Sequence, residues 1–218
     1  MDIKDLPAEF QLSNKIFKMK LKSLVDISTQ SLCDFEIQNN EFISNFRKRQ
    51  ESISRDDLFD KGAYLQNAEW ILLNSIFIAA FSYFEYHLFV LAKILESNIS
   101  SKVKIEHING NGIVKYANYL YLIGSIKSSD QSRGEWQEIP QFNKVRNLLA
   151  HNGGKILSES KGTLEKHKLY NFLEKHNVVM AGPSGIIRIR KIDFIEAFKN
   201  STGIISDNLV QELSSLQW

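Results

Sequence analysis

The stretch WILLNSIFIAAFSYFEYHLFVLAKIL, residues 70–95, is apolar on nearly every side when wound as an α-helix. Trp70, Leu73, Phe77, Phe81, Phe84, Leu88, Leu91 and Leu95 form one stripe, and Ile71, Ile76, Ile78, Phe89 and Val90 cover much of the remainder. A helix without a polar face has to be surrounded by partners. The spacing therefore predicts the central helix of a bundle, from about Ala63 to Ser97. Its most apolar part, Trp70 to Phe84, is interrupted by Glu85 and His87 and is shorter than the roughly 20 residues that span a bilayer. Burial inside protein is the reading, with no membrane partner.

Upstream, Ile16, Met19, Leu24, Ile27, Leu32, Phe35, Phe42, Ile43 and Phe46 approximate a second helical stripe, from about Asn14 to Gln50. Arg47, Lys48 and Arg49 end it, where cations suit the negative end of a helix dipole better than they announce RNA binding. Downstream, Asn109-Gly110-Asn111-Gly112 is a turn, and a tyrosine-rich helix follows from Ile113 to about Ile123. Residues 125–134 are polar and read as a mobile surface loop. A further helix begins near Pro140, whose fixed φ suits a first turn, and stops at Gly153-Gly154. Thr163 to His176 reads as another. Residues 178–181, 182–185 and 186–190 then read as strand, turn, strand, and a last helix runs from about Asp193 to Leu216. The sum is an all-α bundle with long N-terminal helices: residues 1–60 form a helical extension packing on a helical domain, 61–218, which carries a β-hairpin near 178–190.

Composition narrows the function classes. A net charge of +2 is too small to mark a nucleic-acid binder, so any basic site is local. One cysteine, Cys33, excludes an intrachain disulfide framework. The start, Met1-Asp2-Ile3-Lys4-Asp5, lacks the apolar core of a signal peptide, and a cytoplasmic protein is expected. No paired Cys or His ligands mark a zinc site. Gly182-Pro183-Ser184-Gly185 is a hairpin turn, with neither a phosphate-cradling glycine loop nor a serine nucleophile elbow in view. No metal or cofactor is expected.

Chemistry gathers instead on the helix that starts near Pro140. At about 100° per residue, Phe142, Val145, Leu148 and Leu149 share the core side. Asn143, Asn147 and His151, spaced by four, line the opposite side, with Arg146 between. His151 occupies the last turn, where unpaired carbonyls favour imidazolium but repel phosphate. Arg146, a permanent cation able to bond two phosphate oxygens, offsets that repulsion. Lys144 and Lys155 add positive charge. Taken singly, each has a plainer reading: His151 as a favourable helix cap, Arg146 as a carboxylate's partner, and Asn152-Gly153-Gly154 as a C-cap.

Together these residues resemble the HEPN superfamily of nucleotide-binding domains, in which an arginine is followed by a polar residue and, four to six positions on, a histidine. Arg146, Asn147 and His151 match in order and spacing. The phrases Phe142-Asn143-Lys144-Val145-Arg146-Asn147-Leu148-Leu149-Ala150-His151-Asn152 and Phe81-Ser82-Tyr83-Phe84-Glu85-Tyr86-His87-Leu88 are similar to those of its members, and the likeness covers roughly residues 65–215. The resemblance implies a helical bundle that dimerises across a twofold axis and, in active members, a metal-independent endoribonuclease. One imidazole would take the proton of a ribose 2′-OH, a second would protonate the departing 5′-oxygen, and the arginines would stabilise the phosphorane-like transition state. Asn147 would orient the histidine or a phosphate oxygen. Asn143, Lys144, Asn152 and Lys155 would support substrate.

Glu85 reads either as a buried partner that holds Arg146 or as a solvent-facing glutamate. His87 reads as a satisfied core or interface histidine; His107, His167 and His176 have no matched spacing. Arg188 and Arg190 share one face of the second hairpin strand, where they either guide an RNA backbone or keep a solvated edge from aggregating. The function expected is a homodimeric ribonuclease, a toxin or phage-defence effector. The alternative is a non-catalytic HEPN module that binds RNA or nucleotide, or serves as a helical dimerisation partner. A third reading is a toxin held silent by a separately encoded antitoxin or nucleotidyltransferase.

Overall fold

In the computed structural model, residues 6–48, 55–156 and 169–216 are described. The chain is mostly helical, with a small two-stranded antiparallel hairpin towards its C-terminus. The helices are α1 (Leu6–Lys48), α2 (Arg55–Asn98), α3 (Gly112–Leu122), α4 (Ile139–His151), α5 (Tyr170–Lys175) and α6 (Asp193–Ser215). The strands are β1 (Val179–Ala181) and β2 (Ile186–Arg188).

Both long helices begin earlier than the apolar spacing placed them. Pro7 lies in the first turn of α1, where its missing N–H would find no helical partner anyway. Leu6 and Phe10, both buried, hold that turn down. The helix expected over Thr163 to His176 is present as α5; residues 163–168 lie outside the described residues. Residues 60–98 are long and apolar enough to cross a membrane by length and composition, but half of their most apolar window is buried in the protein.

The chain forms two compact units, each assembled from separate segments. The first takes the chain through Lys22, then Ala79–Lys144, then Glu196 onward. Its core is aromatic. Phe198 of α6 packs edge-on to Phe84 of α2 and Phe142 of α4, at centroid distances of 6.1 and 5.2 Å. Phe17 of α1 lies 5.8 Å from Phe84. All four rings are buried, each contributing about 1.5–3 kcal/mol through the area removed from water.

Residues 125–134 depart from the mobile surface loop expected of them. A short 3₁₀ turn, Lys127–Ser129, lies within the segment, and a second, Gly134–Gln137, begins at its last residue. Ile126 and Ser129 are buried, as is Trp136 just beyond, whose Nε1 donates to the Ser128 carbonyl at 2.8 Å. Glu212 of α6 accepts from the Lys127 and Ser128 amides, one to each carboxylate oxygen, both at 2.8 Å. Burial alone would raise the Glu212 pKa, but these hydrogen bonds and the Lys127 charge outweigh it and hold the carboxyl below its ordinary range. A polar composition concealed two apolar anchors and a distant acceptor.

The second unit comprises Ser23–Ile78 and Val145–Ile195. Phe77 of α2, Phe172 of α5, His176 and Phe194 of α6 form its ring cluster, with Phe77 and Phe194 at 4.8 Å. In the hairpin, Val179 pairs with Arg188, Met180 with Ile187 and Ala181 with Ile186. Beyond β2 the chain leaving α4 makes a single β-bridge to it. Lys155 pairs with Ile186, the Ile187 amide donates to the Gly154 carbonyl at 2.9 Å, and the Ile156 amide donates to the Gly185 carbonyl at 3.3 Å.

Asn74 of α2 continues that edge. Its Oδ1 accepts from the Ile189 amide at 3.1 Å and its Nδ2 reaches the Ile187 carbonyl at 3.5 Å, so a buried carboxamide stands in for a strand. Replacing it leaves a buried N–H without an acceptor, a cost of about 1–3 kcal/mol. Asn74→Ala is expected to lower the urea midpoint by that stability without changing the slope; an unchanged midpoint would show that the carboxamide does not hold this edge.

Candidate active site

The C-terminal end of α4 is built by its two glycines. Gly153 and Gly154 both have positive φ, +58° and +77°, and the Gly154 amide donates back to the Leu148 carbonyl at 2.9 Å. The left-handed backbone stops the helix at His151. It also turns the chain into its pairing with β2, so one local device ends the helix and docks the hairpin. A Cβ at Gly154 would sit 3.3 Å from the Ile187 carbonyl oxygen, whereas one at Gly153 meets nothing within 4 Å. Both alanine variants bear the left-handed strain of about 1–2 kcal/mol. Gly154→Ala should therefore lower the melting temperature more than Gly153→Ala, and equal shifts would show that the contact carries no weight.

On this helix Phe142 and Val145 are buried, Leu148 and Leu149 half-buried, and Asn147 and His151 exposed. Asn143 is half-buried, while Lys144, Asn152 and Lys155 are exposed. Asn147 and His151 thus line an open ridge. Arg146 is half-buried, and its Nη1 donates to Asn147 Oδ1 at 2.9 Å. Asn147 fixes the arginine. The His151 imidazole makes no hydrogen bond or ion pair among the described residues, so both ring nitrogens are open to a ligand.

Glu85, half-buried on α2, sets its carboxylate against the first turn of α3: a Cβ on Gly112 would fall 2.8 Å from Glu85 Oε1. It belongs to the first unit, Arg146 to the second. His107 accepts from the Lys104 amide through Nδ1, and His176 packs against Phe172 and Phe194. His167 lies outside the described residues. Among those residues no three His, Cys, Asp or Glu side chains converge as metal ligands.

His87 is the other imidazole with defined chemistry, and it is a core histidine. Ser206 Oγ donates to Asn14 Oδ1 at 2.7 Å and so accepts from His87 Nε2–H at 2.6 Å. That assignment leaves Nδ1 to accept from the Ser13 hydroxyl at 2.9 Å. The ring also stacks on Phe17, centroids 4.6 Å apart. A serine donating to a histidine looks like a nucleophile with its base, but burial pushes the His87 pKa down to about 3. The group behind the ring is a neutral hydroxyl, which brings no negative charge to offset the desolvation of an imidazolium. A ring so reluctant to take a proton makes a poor general base near neutrality.

Two features escaped the sequence reading. Trp70, read only as core, is half-buried and lies 5.2 Å from the Arg188 guanidinium. Lys155, read as local positive charge supporting substrate, has its backbone paired opposite Ile186. No family model, curated protein or solved structure matches this chain.

Proposed function

We propose that the protein is a metal-independent endoribonuclease of HEPN type, acting as a homodimer in the cytoplasm. The single observation that carries this reading is the state of the α4 ridge: His151 is exposed with no protein partner among the described residues, and Arg146 is fixed by Asn147 one turn earlier. An imidazole and an oriented guanidinium on one open helix end can serve a phosphodiester.

In the proposed reaction, His151 of one protomer takes the proton from a ribose 2′-OH. The 2′-oxygen then bonds to the adjacent phosphorus, and the bond from phosphorus to the 5′-oxygen breaks. The second protomer's imidazole gives that oxygen a proton. The products are a 2′,3′-cyclic phosphate and a 5′-hydroxyl. Arg146 stabilises the charge that grows on the phosphoryl oxygens. One copy of the motif supplies one imidazole, so the two proton transfers require the dimer. A role as a toxin or defence effector restrained by an antitoxin or nucleotidyltransferase agrees with this chemistry.

The test is incubation of wild type, His151→Ala and Arg146→Ala with total RNA in EDTA. Cleavage by wild type alone supports the reading. Equal inactivity of all three favours a non-catalytic module that binds RNA or nucleotide.

A further inference from the structure

We infer that the outward face of the small sheet, formed by Lys155, Arg188 and Arg190, is a binding track for the phosphate backbone of single-stranded RNA. The inference takes its ligand from the nuclease reading and goes beyond it by naming where the strand lies outside the cleavage site.

The account of Arg188 and Arg190 as guards of a sheet edge loses its premise in the structure. β1 lies on one side of β2, and on the other a single β-bridge from Gly154–Ile156 and the Asn74 carboxamide meet the backbone of residues 185–189. Among the described residues the second edge of β2 is therefore covered from Gly185 to Ile189.

Pairing fixes which side chains share a face. Lys155 is opposite Ile186, and Arg188 follows Ile186 by two, so Lys155, Ile186 and Arg188 lie on one face. The strand expected over 186–190 ends at Arg188, so Arg190 lies two residues beyond it, half-buried, with the buried Ile189 between the two arginines. Ile187 and Ile189 take the opposite face and are fully buried, so the cationic face is the outer one.

Among the described residues no ion pair engages Lys155, Arg188 or Arg190. The Nε atoms of Arg188 and Arg190 are shielded from water and lack a hydrogen-bond acceptor there. Trp70 holds the Arg188 guanidinium against its ring. A guanidinium held over a ring keeps its planar Nη fork in an orientation that matches phosphate oxygens. Successive outward residues on a strand are about 6.6 Å apart, a step suited to phosphates of an extended chain. Lys155 is four positions after His151, so the track begins within about 14 Å of the His151 backbone.

The test uses His151→Ala protein, which leaves the RNA intact, and a fluorescein-labelled 20-nucleotide single-stranded RNA followed by anisotropy across a KCl series. Adding Arg188→Gln and Arg190→Gln should weaken binding at least about tenfold at low salt and reduce the slope of log K against log salt by about 1.4, two cations at about 0.7 each. Arg188→Lys with Arg190→Lys should keep the slope, and circular dichroism melts report whether each variant folds. An unchanged slope in the folded glutamine variant overturns the inference. So does arginine-dependent binding to phosphatidylserine vesicles without RNA binding. The two proposals fail separately. Wild type that cuts no RNA but binds it through these arginines loses the nuclease and keeps the track; wild type that cuts RNA equally well with both glutamines keeps the nuclease and loses the track.

Discussion

His151→Ala is expected to lower the rate of RNA cleavage at least about 10³-fold, the largest effect of any single substitution in this protein. A positioned general acid or base contributes about 10²–10⁴-fold, and in a homodimer one substitution removes both. Arg146→Ala should cost about 10²–10³-fold through lost transition-state charge stabilisation. Asn147 has a different rank. Its carboxamide oxygen binds the arginine, so it is a positioning residue. Asn147→Ala should lower kcat about tenfold, a share of the loss at Arg146, and leave the shape of the pH–rate profile unchanged. The measurement is single-turnover cleavage of an end-labelled RNA in EDTA across pH 5.5–8.5. Asn147→Ala as damaging as His151→Ala, or a shifted profile in Asn147→Ala, would show that the asparagine acts on the imidazole directly.

The second large effect is on stability, and its site is His87. An unfolded histidine takes a proton near pH 6.5, whereas the folded one resists until about pH 3 because burial penalises the charge. The group is neutral in both states above pH 6.5 and costs nothing there. As pH falls below 6.5 the unfolded chain binds a proton that the folded chain refuses, so stability is lost by about 1.4 kcal/mol per pH unit. By pH 5 the loss is about 2 kcal/mol. The carboxylates with lowered pKa, among them Asp207 and Glu212, lose their contribution only at lower pH, so the window from 6.5 to 5 isolates the imidazole. His87→Gln removes the titration while keeping a side chain that can accept from Ser13 and donate to Ser206. Urea unfolding at pH 7.5 and 5 should show wild type losing about 2 kcal/mol more than His87→Gln. Equal losses would place the acid sensitivity elsewhere.

The helices were legible because their signals are local. The apolar face of residues 70–95 demanded a buried helix, and the buried Leu73, Phe77, Phe81, Phe84, Leu88, Leu91 and Leu95 match its stripe. Gly153-Gly154 ended α4 as read, through two left-handed residues. His87 proved a satisfied core histidine, but its serine partners lie 74 and 119 residues away and no spacing could name them. The same reason hid the order at residues 125–134, where Glu212 supplies the acceptors. The role of Asn74 was invisible because a carboxamide replacing a strand leaves no periodic trace.

At the candidate site, order and spacing placed Asn147 and His151 on the exposed side of one helix end. They did not reveal that Asn147 turns towards Arg146, since two neighbours on a helix carry no sign of which rotamers meet. Nor did they reveal the basic face. Lys155 and Arg188 are 33 positions apart, and only the pairing of Lys155 with Ile186 puts them on one side of the sheet.

The chemistry of the cut ends tests the central claim most directly. RNA cut by wild type in EDTA should end in 2′,3′-cyclic phosphate and 5′-hydroxyl, and a linkage whose 2′-OH is replaced by hydrogen should stay whole. Ends bearing 3′-hydroxyl and 5′-phosphate, or cleavage at the 2′-deoxy linkage, would contradict the account, because water and not the neighbouring ribose would then be the attacking group.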